Sequence, residues 1–302
     1  MNENIENILY DYSIGKILMM QPINKGNTSD ASYVLSDKGQ WVLRKLKNIE
    51  QGVTEYAISN ILANDDICPK IVTTKSNIGY SHYLGNYYNL QEYIPSQPIK
   101  NDLETFKELG RVLGILHSKL KNNTDLIEQE DRFSLEDLWK QTKNKWKDVQ
   151  KQFDYFTFTT SNLEELIHEM ITYQKIKNTF IHGDLGKWNL IYDLKQVYII
   201  DFGEVRKGDN HFDIAAILTS MIGFDLGEEF AYKCLLAFYE NYESYMEDFQ
   251  WKKLQKNIQL WILRGILAML LYSSNKPNFT ESVKKMIDLE LKLNNLICEN
   301  FI

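Results

Sequence analysis

Two rhythms of apolar residues run along this chain. In the first ninety or so residues they recur mostly at every second position. Residues 17–25 and 31–47 alternate in this way, through Ile17-Leu-Met-Met-Gln-Pro-Ile23, Ala31-Ser-Tyr-Val-Leu35 and Gln40-Trp-Val-Leu-Arg44, and read as strands. One helical stripe, Ile58, Ile61 and Leu62, interrupts them and predicts a helix over 54–62. Strand-like runs return at 67–72 and from Tyr88, and the second ends in a polar break with Pro95 and Pro98, as a connector between domains would. Beyond it the period becomes helical. Phe106–Leu120 is amphipathic, 123–178 is mostly helical, and further helices are predicted over 213–223, 226–246, 251–274 and 279–299. Trp139, Trp146 and Phe153 follow one another at seven-residue spacing and read as a packed helix face. Leu260–Tyr272 contains Arg264 and is too short for a membrane span, so it reads as a buried helix.

Candidate chemistry is concentrated in Phe180–Ala215. His182-Gly183-Asp184 is followed five residues later by Asn189, then by the apolar strand Val197-Tyr-Ile-Ile leading into Asp201-Phe-Gly203. An Asp, an Asn and a second Asp in this order suit phosphoryl transfer. In kinases an Asp in the first place takes or orients the acceptor's hydroxyl proton, and an Asn and a second Asp hold magnesium on the nucleotide phosphates. Carboxylate and amide oxygens are hard ligands for a hard cation. Ordinary turn chemistry accounts for Asp193 or Asp209, but not for all of these groups together at strand ends.

The segment resembles the aminoglycoside phosphotransferase family, which includes choline, homoserine and fructosamine kinase relatives. The shared pattern is HGDLGxxN followed by DxGxxxxxDxxxDIA, filled here by Asp201, Gly203, Asp209, Asp213, Ile214 and Ala215. The resemblance implies an α+β, bilobal, protein-kinase-like fold. A nucleotide-binding lobe of antiparallel sheet plus helix would span 1–93, a hinge 94–98, and a larger, mainly helical catalytic and substrate-binding lobe 99–302. It also implies ATP, with GTP as an alternative, and Mg²⁺. Asp184 would be the catalytic residue, and Asn189 and Asp201 the metal ligands.

Other site residues follow from the same resemblance. Gly26 and Asn27, in the small polar stretch Lys25–Asp30, would let backbone N–H groups approach the phosphates; an ordinary hairpin loop is the competing reading. Arg44 would be the cation at the end of the third strand, where the family more often has Lys, and Glu55 its helix partner. Alternation puts Val42 and Arg44 on one face and Lys45 on the other, with Lys45 as the alternative cation. The backbone around Glu92 and Tyr93 would meet the adenine edge. His182 and Asp213 would support the catalytic loop, His117 would be a packing histidine, and Lys187 a solvent-facing loop residue.

Composition narrows the reading. At 302 residues with 13% aromatic and 25% charged residues, the chain is an ordinary globular protein large enough for two lobes. A net charge of −7 disfavours a nucleic-acid partner. Cys68, Cys234 and Cys298 form neither a metal spacing nor a disulfide framework, which points to reducing cytoplasm. The N-terminal stretch has neither the basic region nor the apolar run of a signal peptide, and no membrane partner is expected. His168-Glu169 lacks the second His of a zinc-protease helix. Only eleven residues separate Asp201 from Asp213 and no APE follows, so a protein acceptor is disfavoured. The partner expected is a small-molecule hydroxyl substrate, and the HGDLG pattern leans toward the aminoglycoside branch. An amino alcohol, homoserine or sugar acceptor stays open, as does a non-catalytic nucleotide-binding regulator, which Arg44 favours. Acidic residues Asp225, Glu228, Glu229, Glu240, Glu243, Glu247 and Asp248 read as a solvated helix face rather than an acceptor wall. Monomer and homodimer are both compatible with the chain.

Overall fold

The computed structural model describes residues 3–23, 31–149, 160–223 and 226–302. Gly26 and Asn27 with their loop, Phe153 and Asp225 lie outside the described residues. The chain forms two compact units. The first comprises Met1–Lys100, Asn122–Gln129 and Trp188–Val205, and the second Asn101–Lys121, Glu130–Lys187 and Arg206–Ile302.

In the first unit, α1 (Glu3–Tyr10) precedes an antiparallel sheet of β1 (Ile17–Pro22), β2 (Ala31–Ser36), β3 (Gly39–Leu46), β4 (Ile71–Val72), β5 (Ser81–Tyr83) and β6 (Asn86–Glu92). The strand order is β1-β2-β3-β6-β4, with β5 also on β6. Alternation sends Val34, Leu43 and Leu90 to one face, where they close a core with Ile8, Leu9, Tyr12 and Ile14. The opposite face therefore receives Val42 and Arg44 from β3 and their register partners Gln91 and Asn89 from β6. Helix α2 (Ile49–Ile61) follows β3. It begins ahead of the predicted Thr54 because Asn48 caps it, its side chain accepting from the Gln51 N–H at 2.9 Å. A hairpin of β8 (Leu190–Tyr192) and β9 (Val197–Ile199) belongs to the same unit, held by Ile199 N–H on the Ile67 carbonyl at 2.8 Å.

The second unit is mainly helical: α3 (Leu103–Leu120), α4 (Leu135–Val149), α5 (Thr160–Tyr173), α6 (Asn210–Ile222), α7 (Glu228–Glu243), α8 (Trp251–Ser273) and α9 (Phe279–Phe301). A short antiparallel ladder joins β7 (Thr179–Ile181) to β10 (Arg206–Gly208). Helix α6 is buried on nearly every side, as a sequence as apolar as Ile214-Ala-Ala-Ile-Leu218 requires. Trp139 and Trp146 are both buried on α4. Arg264 is buried within α8, its guanidinium donating to Asp131 at 2.7 Å and to the Phe133 carbonyl. Among the described residues no helix is long and apolar enough to cross a membrane.

Candidate active site

The end of β3, the first turns of α2 and the end of β9 bring three charged side chains together within the first unit. Arg44 donates through Nη1 to Glu55 Oε2 at 3.0 Å and through Nη2 to Asp201 Oδ1 at 2.6 Å. Glu55 is 2% exposed, so it is a buried partner rather than a solvent-facing helix acid. Burial alone would loosen the Arg44 proton, but the charges of Glu55 and Asp201 outweigh it and hold the guanidinium more firmly charged than usual. Lys45 is exposed on the other face of β3. Asp201 has a left-handed backbone, φ 64°, a conformation Asp tolerates better than most residues. Asn189 closes the hairpin beside it, its carbonyl accepting from Ile200 N–H at 3.0 Å. The two candidate metal ligands thus stand at one end of one hairpin. Their hard oxygens fit Mg²⁺, which takes few protein ligands and completes its shell with phosphate and water. Among the described residues no group of three or more His, Cys, Asp or Glu is placed to hold a metal without such help.

Asp184 belongs to the second unit, just after β7, and the chain passes into the first unit between Lys187 and Trp188. The HGD loop hangs on Asp213 at the start of α6. Asp213 Oδ2 accepts from His182 N–H at 2.6 Å, and Oδ1 from Gly183 N–H at 2.9 Å. Gly183 has φ +83°, which explains a glycine between His182 and Asp184. Arg206 donates to the Gly183 carbonyl at 3.2 Å. Burial alone would raise the Asp213 carboxyl, but the His117 hydrogen bond and field, His182 and the Gly183 N–H hold it below the ordinary carboxylate range.

His117, fully buried, lies 3.2 Å from Asp213 Oδ2 through Nε2 and 3.0 Å from the Tyr242 hydroxyl through Nδ1. Asn210 Nδ2 donates to the same Tyr242 hydroxyl at 2.7 Å. His117 is thus a packing histidine that also holds the loop's anchor.

The N–H groups of Glu92 and Tyr93 are engaged in the first unit, donating to the Lys70 and Gln40 carbonyls at 2.9 and 3.0 Å. Lys187 is exposed, its N–H donating to Ser220 Oγ at 3.1 Å. Glu229 on α7 pairs with Lys233, and Asp248, past the end of α7, pairs with Lys121 and Asn210. Sequence reasoning missed Gln51 and Asn89, which donate to Glu55 at 2.8 and 2.6 Å, and Tyr242 and Asn210 behind His117.

The fold is the α+β, protein-kinase-like architecture of small-molecule phosphotransferases. Residues 20–247, about three quarters of the chain, match the phosphotransferase enzyme family, APH, and the chain belongs to that family. Several solved structures share its fold. An aminoglycoside phosphotransferase from Alicyclobacillus acidocaldarius is 14% identical with a TM-score of 0.69, covering 97% of this chain and 94% of that one. The amicoumacin kinase hAmiN, solved with AMP-PNP, Ca²⁺ and Ami, is 12% identical with a TM-score of 0.67 over 97% and 94%. The choline kinase LicA from Streptococcus pneumoniae is 13% identical with a TM-score of 0.59 over 95% and 96%. No curated protein sequence matches the chain.

Proposed function

We propose that the protein transfers the γ-phosphoryl group of ATP to a hydroxyl of a small molecule in the cytoplasm, with Mg²⁺ and with an aminoglycoside as the acceptor class. The observation that carries this reading is Arg44, held between Glu55 at 3.0 Å and Asp201 at 2.6 Å. A strand cation paired with a helix Glu, beside the Asp of an Asp-Phe-Gly segment that would hold metal, is the arrangement kinases use at the nucleotide phosphates. Arg44 binds the nucleotide phosphates and neutralises charge on them. Asn189 and Asp201 would hold the magnesium, which supplies charge neutralisation on the phosphate oxygens when bound. Asp184 accepts the acceptor's hydroxyl proton or orients that hydroxyl for in-line attack, on a loop that Asp213 fixes through two backbone N–H groups. With the amides of Glu92 and Tyr93 engaged, the adenine edge would meet the carbonyls of this strand end or the residues after it. Gly26 and Asn27 remain part of the proposed phosphate loop.

The acceptor class rests on the HGDLG pattern and on relatives whose own names are aminoglycoside phosphotransferase and spectinomycin phosphotransferase, the latter solved with ADP and spectinomycin. The test is Mg²⁺-dependent turnover of ATP and of GTP against aminoglycosides, choline, homoserine, sugars and nucleosides, with Asp184→Asn as control. Turnover that needs one acceptor and vanishes in the control is the expected result. Nucleotide binding without turnover on any of these acceptors would reject the aminoglycoside reading and leave an acceptor outside the panel or a regulatory nucleotide-binding role.

A further inference from the structure

Glu55 is surrounded by donors. Its Oε2 accepts from Arg44 Nη1 at 3.0 Å and from Asn89 Nδ2 at 2.6 Å. Its Oε1 accepts from Gln51 Nε2 at 2.8 Å and from the same Arg44 Nη1 at 3.3 Å. Both carboxamides are oriented by further bonds. Gln91 donates to Asn89 Oδ1 at 3.4 Å, and Gln51 Oε1 accepts the Lys47 N–H at 2.9 Å. Neither amide can flip to present oxygen to Glu55 without losing its own partner. Asn89 is fully buried and Gln51 is 3% exposed.

An arginine facing a lone carboxylate prefers the two-pronged pairing, with two guanidinium nitrogens on two oxygens. Here the carboxylate meets only Nη1, because carboxamides occupy the remaining lone pairs on both of its oxygens. The second nitrogen, Nη2, is thereby left to Asp201. We propose that Asn89, aided by Gln51, is a positioning residue for the nucleotide phosphates. It restricts Glu55 to one nitrogen of Arg44, so that the guanidinium is presented side-on toward the phosphates and Asp201. This rests on the phosphate-binding role given to Arg44 above. Asn89 lies directly across from Arg44 in the β3–β6 register, so the two act within one strand pair. A polar network this well satisfied inside a unit fixes geometry as well as stability.

The experiment compares affinity for AMP-PNP with Mg²⁺ against affinity for adenosine, by calorimetry on the full chain, alongside the unfolding midpoint. The ratio isolates what the phosphates contribute. Asn89→Leu should lower AMP-PNP affinity about tenfold and leave adenosine within about twofold, the size expected for one lost charge-assisted hydrogen bond. Asn89→Asp sets a second carboxylate beside Glu55 and should lower the ratio as well. The swap Asn89→Asp with Glu55→Gln keeps shape, one carboxylate and one carboxamide, and should recover most of the ratio lost in Asn89→Asp; it also carries the test if Asn89→Leu fails to fold. AMP-PNP and adenosine affinities that fall together, an unchanged ratio in folded Asn89→Leu, or a swap that recovers nothing would each overturn the proposal. Wild-type protein that binds AMP-PNP but phosphorylates none of the acceptors named above would reject the aminoglycoside reading alone, and the ratio would still decide the role of Asn89. Wild-type protein that does not bind AMP-PNP would overturn both.

Discussion

Replacing Gly110 by alanine tests how closely α3 must approach α7. A Cβ at Gly110 would lie 2.3 Å from the Phe238 carbonyl oxygen and 3.1 Å from Asn241 Cβ, where ordinary contact begins near 3.4 Å. The oxygen belongs to helical backbone and cannot swing away, so the two helices must separate by about 1 Å to relieve the overlap. Such a gap forfeits a quarter to a half of the dispersion energy across the shared face. Gly114, one turn on, meets the Tyr242 carbonyl at 2.9 Å, so the approach is continuous along α3. Alanine recovers about 1 kcal/mol of intrinsic helix preference. Overpacking costs about 1–3 kcal/mol, and lost contacts add to it, for a net loss of about 2–3 kcal/mol. At about 2–4 °C per kcal/mol for a chain of this size class, thermal unfolding followed by circular dichroism should shift down by roughly 5–10 °C. Gly227→Ala is the steric control: its Cβ would meet nothing within 4 Å, and as the N-cap of α7 it should lose only the cap preference of Gly over Ala, about 1 kcal/mol or less. The same separation stretches the His117–Tyr242 bond, 3.0 Å in the wild type, so turnover should fall with stability. A midpoint that stays put or rises would show that α3 and α7 do not constrain each other, and the packing argument would fail.

Three other expectations follow from the side chains around the site and from one buried acid. Arg44→Lys replaces a fork by a point charge that cannot span both Glu55 and Asp201, so kcat/KM for ATP should fall about tenfold or more, whereas exposed Lys45→Ala should stay within about twofold; the reverse order in steady-state kinetics would make Lys45 the phosphate cation. Asp213→Asn removes the negative charge and replaces one of the two oxygens that meet His117, His182 N–H and Gly183 N–H by a donor NH2, and should cost about 2–4 kcal/mol in urea unfolding. Because the folded Asp213 carboxyl lies below its ordinary value, its contribution is complete above the unfolded pKa near 3.9 and is lost as pH falls through the folded value, so the variant's acid limb should be flatter, and parallel limbs would refute the assignment. Glu290 is pushed up to about 7 by burial, which its Gln259 hydrogen bond only partly offsets, so the folded state holds this proton after the unfolded chain has released it near pH 4.5. Stability should therefore decline between about pH 4.5 and 7 by an amount on the order of 3 kcal/mol, and Glu290→Gln should gain on wild type as pH rises; a pH-independent difference in urea midpoints would sink this reading.

Much of the molecule was legible before folding, where the determining interactions are local. The apolar period placed α6 to α9 within a few residues of their observed limits, because a helix's buried stripe is written in consecutive turns. Asp184, Asn189 and Asp201 were legible because one loop and one hairpin carry all three within eighteen residues of chain. Alternation likewise separated Arg44 from Lys45, since neighbouring strand residues face opposite ways. The early start of α2 was harder to see: its cap is a single Asn, and the first turn carries no apolar stripe.

Only the tertiary structure decided which distant groups share an environment. Asn89 in a strand and Gln51 in a helix read in sequence as polar surface, yet both are buried on one carboxylate. Asp131 gathers Arg206 and Arg264 from positions 75 and 133 residues away in the chain. Tyr242 and Asn210, which meet at His117, come from separate helices. The hydrophobic period reports how far each residue lies from water, and it carries no information about which polar group will replace that water. That choice is made when strands take their register and helices their crossing, and burial then requires every donor and acceptor to find a partner.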